Sequence, residues 1–154
     1  MGRIERRAFA AAAVAGLLVQ IAVLPAAAAG SSRGYGEGGS LLDFLALVNR
    51  YNEHSELFRI EGECKSACTM FLAIRNVCLE RNAVLMFHAG RDVQADRTGP
   101  DTHATRLMLS AYNTKLKAYI LAGHHMDTSA FYALPASLLI DRFGYRECGR
   151  VSHG

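Results

Sequence analysis

Four cysteines that follow an export-type leader constrain this chain more than any other feature of its sequence. The leader carries three arginines within its first seven residues, then an apolar stretch from Ala8 to Leu24, then small residues at 26–30. This order of basic, apolar and small segments is typical of a secretory signal peptide, so we predict a signal peptide over 1–29 and a folded domain over 30–154. A domain of roughly 125 residues is large enough for one hydrophobic core but not for two.

The leader leaves two questions open, the export route and whether it is cleaved. Arg6-Arg7-Ala8-Phe9 loosely resembles a twin-arginine signal, although an ordinary basic segment needs no such meaning. The alternative to cleavage is a retained membrane anchor, because Ala8–Leu24 approaches the ~20 residues that cross a bilayer. Gln20 and Pro25 favour cleavage. We expect a periplasmic or secreted protein, exported by the general or the twin-arginine route, with a membrane as partner only if the leader is retained.

The cysteines predict two disulfides, because an exported chain with an even cysteine count usually oxidises them in pairs. Four cysteines allow three pairings. Cys64 and Cys68 are one turn apart, which slightly favours a Cys64–Cys68 bond together with a Cys78–Cys148 bond. Zinc is the competing interpretation, since Cys64-x-x-x-Cys68 has a loose ligand spacing, but no second close pair follows it.

Neither nucleic acid nor a metal ion is predicted as a partner. The net charge of +3 is small, part of it belongs to the leader, and no long basic run follows. His124 and His125, together with His103, are the other candidate metal ligands. Adjacent histidines do not easily bind one ion, and a solvated turn after Gly123 explains them better. We expect no metal and no cofactor.

Hydrophobic periodicity predicts helices alternating with strands. Ser40 is the expected N-cap of the first helix. Predicted helices cover 41–51, 66–74, 102–123, a short stretch after Asp127 and 136–143, while predicted strands cover 57–61 and 83–87, and predicted loops cover 31–39 and 89–101. The alternation predicts an α/β fold with a parallel sheet and crossover helices.

Ser66 and His88 are the candidate reactive residues. Ser66 opens a predicted helix, and His88 ends the predicted strand 83–87. The carboxyl edge of a parallel sheet is where α/β proteins bind ligands, and both residues would lie there. A serine hydrolase needs a hydroxyl nucleophile beside an imidazole base. The plainer interpretations are an N-cap serine and a structural histidine.

A glycine-rich segment, Gly36-Glu37-Gly38-Gly39-Ser40, precedes the first predicted helix. Glycines let a backbone approach a substrate closely, so this segment is a second candidate source of N–H donors. A flexible stretch after a signal peptide would have the same composition.

These motifs together resemble a known superfamily. Gly38-Gly39-Ser40 before a helix, Ser66 opening a helix and a buried strand ending in His88 are similar to the Clp-type serine protease branch of the ClpP/crotonase superfamily. The segments 62–69, 87–89 and 145–148, with Cys78, look more closely like small periplasmic proteobacterial proteins of that superfamily. The resemblance extends over about 38–148 and implies a ClpP/crotonase-like fold, that is, a small parallel sheet with crossover helices.

The resemblance also assigns roles to individual residues. It implies that Ser66 is the nucleophile, that His88 is the general base and that the N–H groups of Gly39 and Ala67 form the oxyanion hole. The acid that would orient the histidine has no clear match; Asp141 lies at a plausible distance along the chain.

Two departures from the family pattern weaken the assignment. The acid is uncertain, with Asp92, Asp101 and Asp127 as alternatives to Asp141. Clp-type proteases also place a strand before the Gly-Gly loop, whereas only about eight to ten loop-like residues would remain here after cleavage. We therefore expect a smaller sheet.

The sequence thus predicts an exported serine hydrolase that acts on a peptide or small ester through a Ser-His pair. The alternative is a non-catalytic periplasmic binding or assembly module that keeps the ClpP/crotonase-like fold. Clp-type proteases form rings, but this sequence shows no surface for one, so it predicts no oligomeric state.

Overall fold

A computed structural model describes residues 29–91 and 100–149 of this chain. The predicted signal peptide, the possible anchor Ala8–Leu24 and the candidate acid Asp92 lie outside these residues. Within them, no helix combines the length and the apolar character that crossing a membrane requires.

Two three-stranded sheets are packed with four α-helices and two 3-10 helices in the described part of the chain. The strands are β1 Gly30–Ser31, β2 Phe58–Ile60, β3 Glu63–Lys65, β4 Val77–Leu79, β5 Val84–Phe87 and β6 Tyr132–Pro135. The α-helices are α1 Leu41–His54, α2 Thr102–Ser110, α3 Thr114–Ala122 and α4 Ala136–Phe143. The 3-10 helices are Ser32–Gly34 and Ser66–Ala73, and we call the second one the serine helix.

The sheets confirm an α/β fold with a small parallel sheet. The first sheet has the order β1-β2-β4 with all strands parallel. In the second sheet, of order β3-β5-β6, β3 is parallel to β5 but β6 is antiparallel to it. The helix predicted after Asp127 is therefore wrong, since Tyr132–Pro135 forms a strand. Leu134 is buried and pairs with Leu85, so this segment covers the second edge of a central strand.

Two helix predictions need correction at their boundaries. Helix α1 begins after Ser40, whose Oγ accepts a hydrogen bond from the Asp43 N–H, but it ends three residues later than predicted, at His54. The helix predicted over 102–123 is two helices, because the chain turns after α2 and Asn113 caps α3 through its bond from the Leu116 N–H. Apolar residues of both helices face the core, so the periodicity continues across the break.

The segment before α1 is not the simple loop that its glycines and serines predict. Strand β1 pairs with β2, and Ser32 Oγ accepts from the Glu61 N–H at 2.9 Å and donates to the Glu61 carbonyl at 3.1 Å. A short strand therefore does precede the Gly-Gly loop. It joins the sheet because the buried Ser32 hydroxyl satisfies the backbone N–H and C=O of Glu61, which would otherwise lack partners.

The core lies between the sheets and α1, and the serine helix runs through it. Ala67, Cys68, Thr69, Met70, Phe71 and Leu72 are all buried. The Phe71 ring packs against Phe44 and Phe58, with ring centroids 4.9 and 4.4 Å apart. Such contacts explain why a 3-10 helix of eight residues is stable here, since isolated 3-10 runs of this length are uncommon.

Both disulfides that the sequence favoured are present. Cys64 bonds to Cys68 and Cys78 bonds to Cys148, with Cα separations of 5.2 and 4.8 Å. All four cysteine sulfurs are thus engaged, so Cys64 and Cys68 are not a zinc-ligand pair. Two disulfides fit an oxidising compartment such as exported proteins enter.

The second disulfide attaches the C-terminal segment to the first sheet. The Leu79 N–H donates to the Arg146 carbonyl, and the Cys148 N–H donates to the Leu79 carbonyl, each at 2.9 Å. Glu147 forms a parallel bridge with Leu79. The segment therefore lies along the outer edge of β4.

Candidate active site

Ser66 stands at a sharp turn between β3 and the serine helix. Its φ of 54° lies in the left-handed region, which non-glycine residues rarely adopt. Such a conformation costs on the order of 1–3 kcal/mol and persists only where surrounding contacts enforce it. Backbone strain at a serine that faces a cleft is an observation that points to function.

His88 comes directly after β5 and reaches Ser66. Because β3 and β5 are parallel and Lys65 pairs with Met86, the residues that follow the two strands lie at the same edge. The distance from His88 Nε2 to Ser66 Oγ is 2.7 Å, a hydrogen bond. The structure therefore brings together the two residues that the sequence singled out.

The glycine segment is fastened beside Ser66 by β3 itself. The Lys65 N–H donates to the Gly36 carbonyl at 2.8 Å, and Lys65 Nζ forms an ion pair with Glu37 at 2.9 Å. Gly38 has a φ of 79°, and a Cβ there would lie 2.9 Å from Ser66 Cβ and 3.1 Å from the Ala67 nitrogen. Only glycine fits at this contact.

The predicted oxyanion donors are the backbone N–H groups of Ala67 and Gly39. Ala67 is the second residue of the serine helix, and the first N–H groups of a helix have no intrahelical acceptor. Gly39 lines the same cleft as Ser66. The oxyanion role of the two N–H groups stays a prediction.

A cleft of about 760 Å³ opens over Ser66 and His88. Its apolar wall comes from α1, α2 and the chain before β6, through Leu41, Leu42, Ala104, Leu107, Met108 and Phe131. The Phe131 ring stands edge-on to the His88 imidazole, with centroids 4.8 Å apart, and is 55% exposed. Glu37, Arg91, Asp101 and His103 supply polar groups around the opening.

Asp141 is not the orienting acid, so that prediction is wrong. Its two carboxylate oxygens accept hydrogen bonds from the Arg81 guanidinium at 3.1 and 2.8 Å, on an exposed surface. Those hydrogen bonds hold the pKa of Asp141 below its usual value. Because Arg81 engages both oxygens of this α4 carboxylate, Asp141 does not orient His88.

The alternative acids are engaged elsewhere as well. Asp101 caps α2 by accepting from the Ala104 N–H at 2.6 Å, and Asp127 contacts His124 Nδ1 at 2.7 Å. Across residues 29–91 and 100–149, His88 Nδ1 has no hydrogen-bond partner, although it is buried. The described site is thus a Ser-His pair whose imidazole is held by packing.

Comparison with known proteins identifies no family for the chain. It matches no protein-family model and no curated protein. Among solved structures, it is similar to a peptidase from Plasmodium falciparum, with 9% identity and a TM-score of 0.42. The similarity covers 66% of this chain and 62% of the other, so the chain spans less than two thirds of that peptidase.

Several residues that line the cleft were not indicated by the sequence. Phe131 and the α2 side chains approach Ser66 only through the tertiary fold. Arg91 is only three residues after His88, so its position near the site could have been recognised in the sequence. A lone arginine, however, gives no specific signal.

Burial sets the protonation state of His88. The side chain is 5% exposed, and desolvation lowers the pKa of His88 below its ordinary value of 6.5. The backbone of the neighbouring Ala89 opposes that shift in pKa, and the Arg91 charge reinforces it. At neutral pH the imidazole is therefore uncharged, as a general base must be.

This pKa predicts the pH dependence of any reaction at Ser66. The rate constant of serine acylation should be highest at neutral and alkaline pH and should fall to half of its maximum only below pH 6.5, the ordinary value of a histidine pKa, because the His88 imidazole gains its proton there. The free energy of unfolding should also decrease on acidification, because the unfolded chain binds a proton at His88 more readily than the folded chain does. The stability that uncharged His88 contributes is present above about pH 6.5 and is lost as the pH falls below that value. A pH profile of the acylation rate checks this, and an inflection above pH 7 would contradict it.

Proposed function

We propose that this protein is an exported serine hydrolase with a ClpP/crotonase-like fold, which cleaves a peptide or small ester through Ser66. The hydrogen bond of 2.7 Å between Ser66 Oγ and His88 Nε2 is the observation that supports it best. The left-handed backbone of Ser66 adds to it, because the turn places the hydroxyl at the edge of the cleft.

The first half of the reaction follows from this geometry. His88 Nε2 accepts the Ser66 proton while Ser66 Oγ attacks the carbonyl carbon of the substrate. The N–H groups of Gly39 and Ala67 stabilise the resulting oxyanion. As the tetrahedral intermediate collapses, the imidazolium returns its proton to the leaving amine or alcohol, which departs and leaves an acyl group on Ser66.

The second half regenerates the protein. His88 takes a proton from a water molecule, and the hydroxide formed attacks the acyl carbonyl. The second intermediate releases the carboxylic acid, and Ser66 Oγ recovers its proton from His88. In this scheme the His88 Nδ1–H has no acceptor among the described residues.

The site of action that we propose is the periplasm. The leader predicted over 1–29 would direct the chain there, and the two disulfides require an oxidising environment.

Labelling with a fluorophosphonate probe tests the hydrolase proposal. The exported and oxidised protein should react with the probe, and mass spectrometry of a digest should locate the adduct on Ser66. The peptide that contains the exposed Ser110 serves as an internal control and should stay unmodified. Absence of an adduct on folded protein with intact disulfides would refute the proposal.

A non-catalytic binding module is the second candidate function. The lack of a described partner on His88 Nδ1 favours it, since orienting acids matter for catalysis. In that case the cleft would retain ligands unchanged, no adduct would form on Ser66, and a Ser66→Ala strain would behave as the wild type.

A further inference from the structure

Two buried hydroxyls form a chain behind the Ser66 backbone. Thr69 Oγ1 lies 2.7 Å from the Ser66 carbonyl oxygen, and the Tyr112 hydroxyl lies 2.7 Å from Thr69 Oγ1. Thr69 is fully buried and Tyr112 is 4% exposed. These two hydroxyls join the serine helix to the turn after α2, where Tyr112 lies 43 residues after Thr69 in the sequence.

The direction of the two hydrogen bonds between Ser66, Thr69 and Tyr112 is fixed by the number of protons that these groups carry. A carbonyl oxygen only accepts, so Thr69 must donate its single hydroxyl proton to Ser66. Tyr112 must then donate its own proton to Thr69. Burial raises the pKa of Tyr112 above its usual range, so this hydroxyl stays protonated.

Tyr112 also contacts Phe87, the residue directly before His88. Its ring is edge-on to the ring of Phe87, with centroids 5.3 Å apart and planes at 88°. Phe87 is the last residue of β5, directly before His88, and it is fully buried. One tyrosine therefore braces Ser66 through Thr69 and His88 through Phe87.

We propose that Thr69 and Tyr112 are positioning residues, which hold the strained Ser66 turn and His88 at hydrogen-bond distance for acyl transfer. This inference rests on the proposed function. Neither residue lines the cleft, so neither touches the substrate. Thr69 acts on the Ser66 backbone, whose left-handed φ needs an enforcing contact.

Variants of Thr69 that differ only in the hydroxyl provide the test. Thr69→Val keeps the shape but removes the hydroxyl, which leaves the Tyr112 proton buried without an acceptor. We expect the rate constant of fluorophosphonate acylation to fall about five- to thirtyfold, with the dissociation constant of the probe unchanged. Thr69→Ser restores the hydroxyl and should stay within about twofold of the wild type.

Tyr112→Phe removes the other donor while keeping the ring on Phe87. The acylation rate constant should fall about two- to tenfold. The double variant Thr69→Val/Tyr112→Phe should be no slower than Thr69→Val alone, because the chain is already broken. Circular dichroism at the assay temperature confirms that each variant is folded, and Tyr112→Phe carries the test if Thr69→Val does not fold.

A merely structural role predicts a different result. Thr69→Val would then unfold at a lower temperature but acylate at the wild-type rate constant while folded, and this outcome would overturn the inference alone. Additive losses in the double variant would also overturn it. A wild-type protein without an adduct on Ser66 would instead overturn the proposed function together with the inference.

Discussion

Replacing His88 with glutamine is expected to slow acylation of Ser66 by a factor on the order of 10²–10⁴. Glutamine can still form a hydrogen bond with Ser66 Oγ, but its amide does not take up a proton at neutral pH. The reaction would therefore lose its general base while the packing around the site changes little. The rate constant is measured by quenching the fluorophosphonate reaction at a series of times and quantifying the Ser66 adduct in each sample.

Two matched variants give this experiment its reference points. His54→Gln makes the same substitution at the end of α1, on the surface, and should label as the wild type does. Ser66→Ala removes the nucleophile and should abolish the adduct, which defines the background. If His88→Gln labelled as fast as the wild type, the hydrogen bond between His88 and Ser66 would have no part in catalysis.

The two disulfides are expected to differ in what they support. The Cys78–Cys148 bond closes a long loop, with a sequence separation of 70, and its replacement by two alanines should lower the free energy of unfolding by about 4 kcal/mol. The Cys64–Cys68 bond has a separation of only 4, so its removal should cost about 2 kcal/mol. Urea denaturation of both double variants measures these values.

The order of the two effects should reverse for reactivity. Cys64 is in β3 and Cys68 is in the serine helix, so the bond between them spans Ser66. Its loss should slow fluorophosphonate acylation of the folded protein, whereas loss of the Cys78–Cys148 bond should leave the rate constant near the wild-type value. Equal acylation by both folded variants would show that the shorter disulfide does not hold the Ser66 turn.

The sequence predicted the part of the site that depends on local order along parallel strands. His88 follows the apolar strand β5, and Ser66 follows β3, which is parallel to β5 although its residues gave no strand pattern. Strands that run in the same direction end at the same edge of a sheet. The disulfide pairing could also be predicted from local sequence, because Cys64 and Cys68 are only four residues apart. These inferences needed little knowledge of distant contacts.

Other predictions failed where distant contacts decide the structure. Residues Tyr132–Pro135 form a strand because β5 offers a free edge, and no local pattern indicates that edge. Asp141 has a suitable residue type, but Arg81 reaches it across the fold and engages both of its oxygens. Tyr112 gave only the signal of a core residue in a helical pattern, so its hydroxyl chain to Ser66 was invisible in the sequence.

The C-terminal segment along β4 has a consequence for the solubility of the chain. An open strand edge presents unpaired N–H and C=O groups, on which a second molecule can add a strand and begin to aggregate. Here Arg146 and Cys148 occupy those groups of Leu79, and the bond from Cys148 to Cys78 fixes the cover in place. An oxidised molecule therefore blocks intermolecular strand pairing at β4, whereas a newly made and still reduced chain gains this protection only when Cys148 bonds to Cys78.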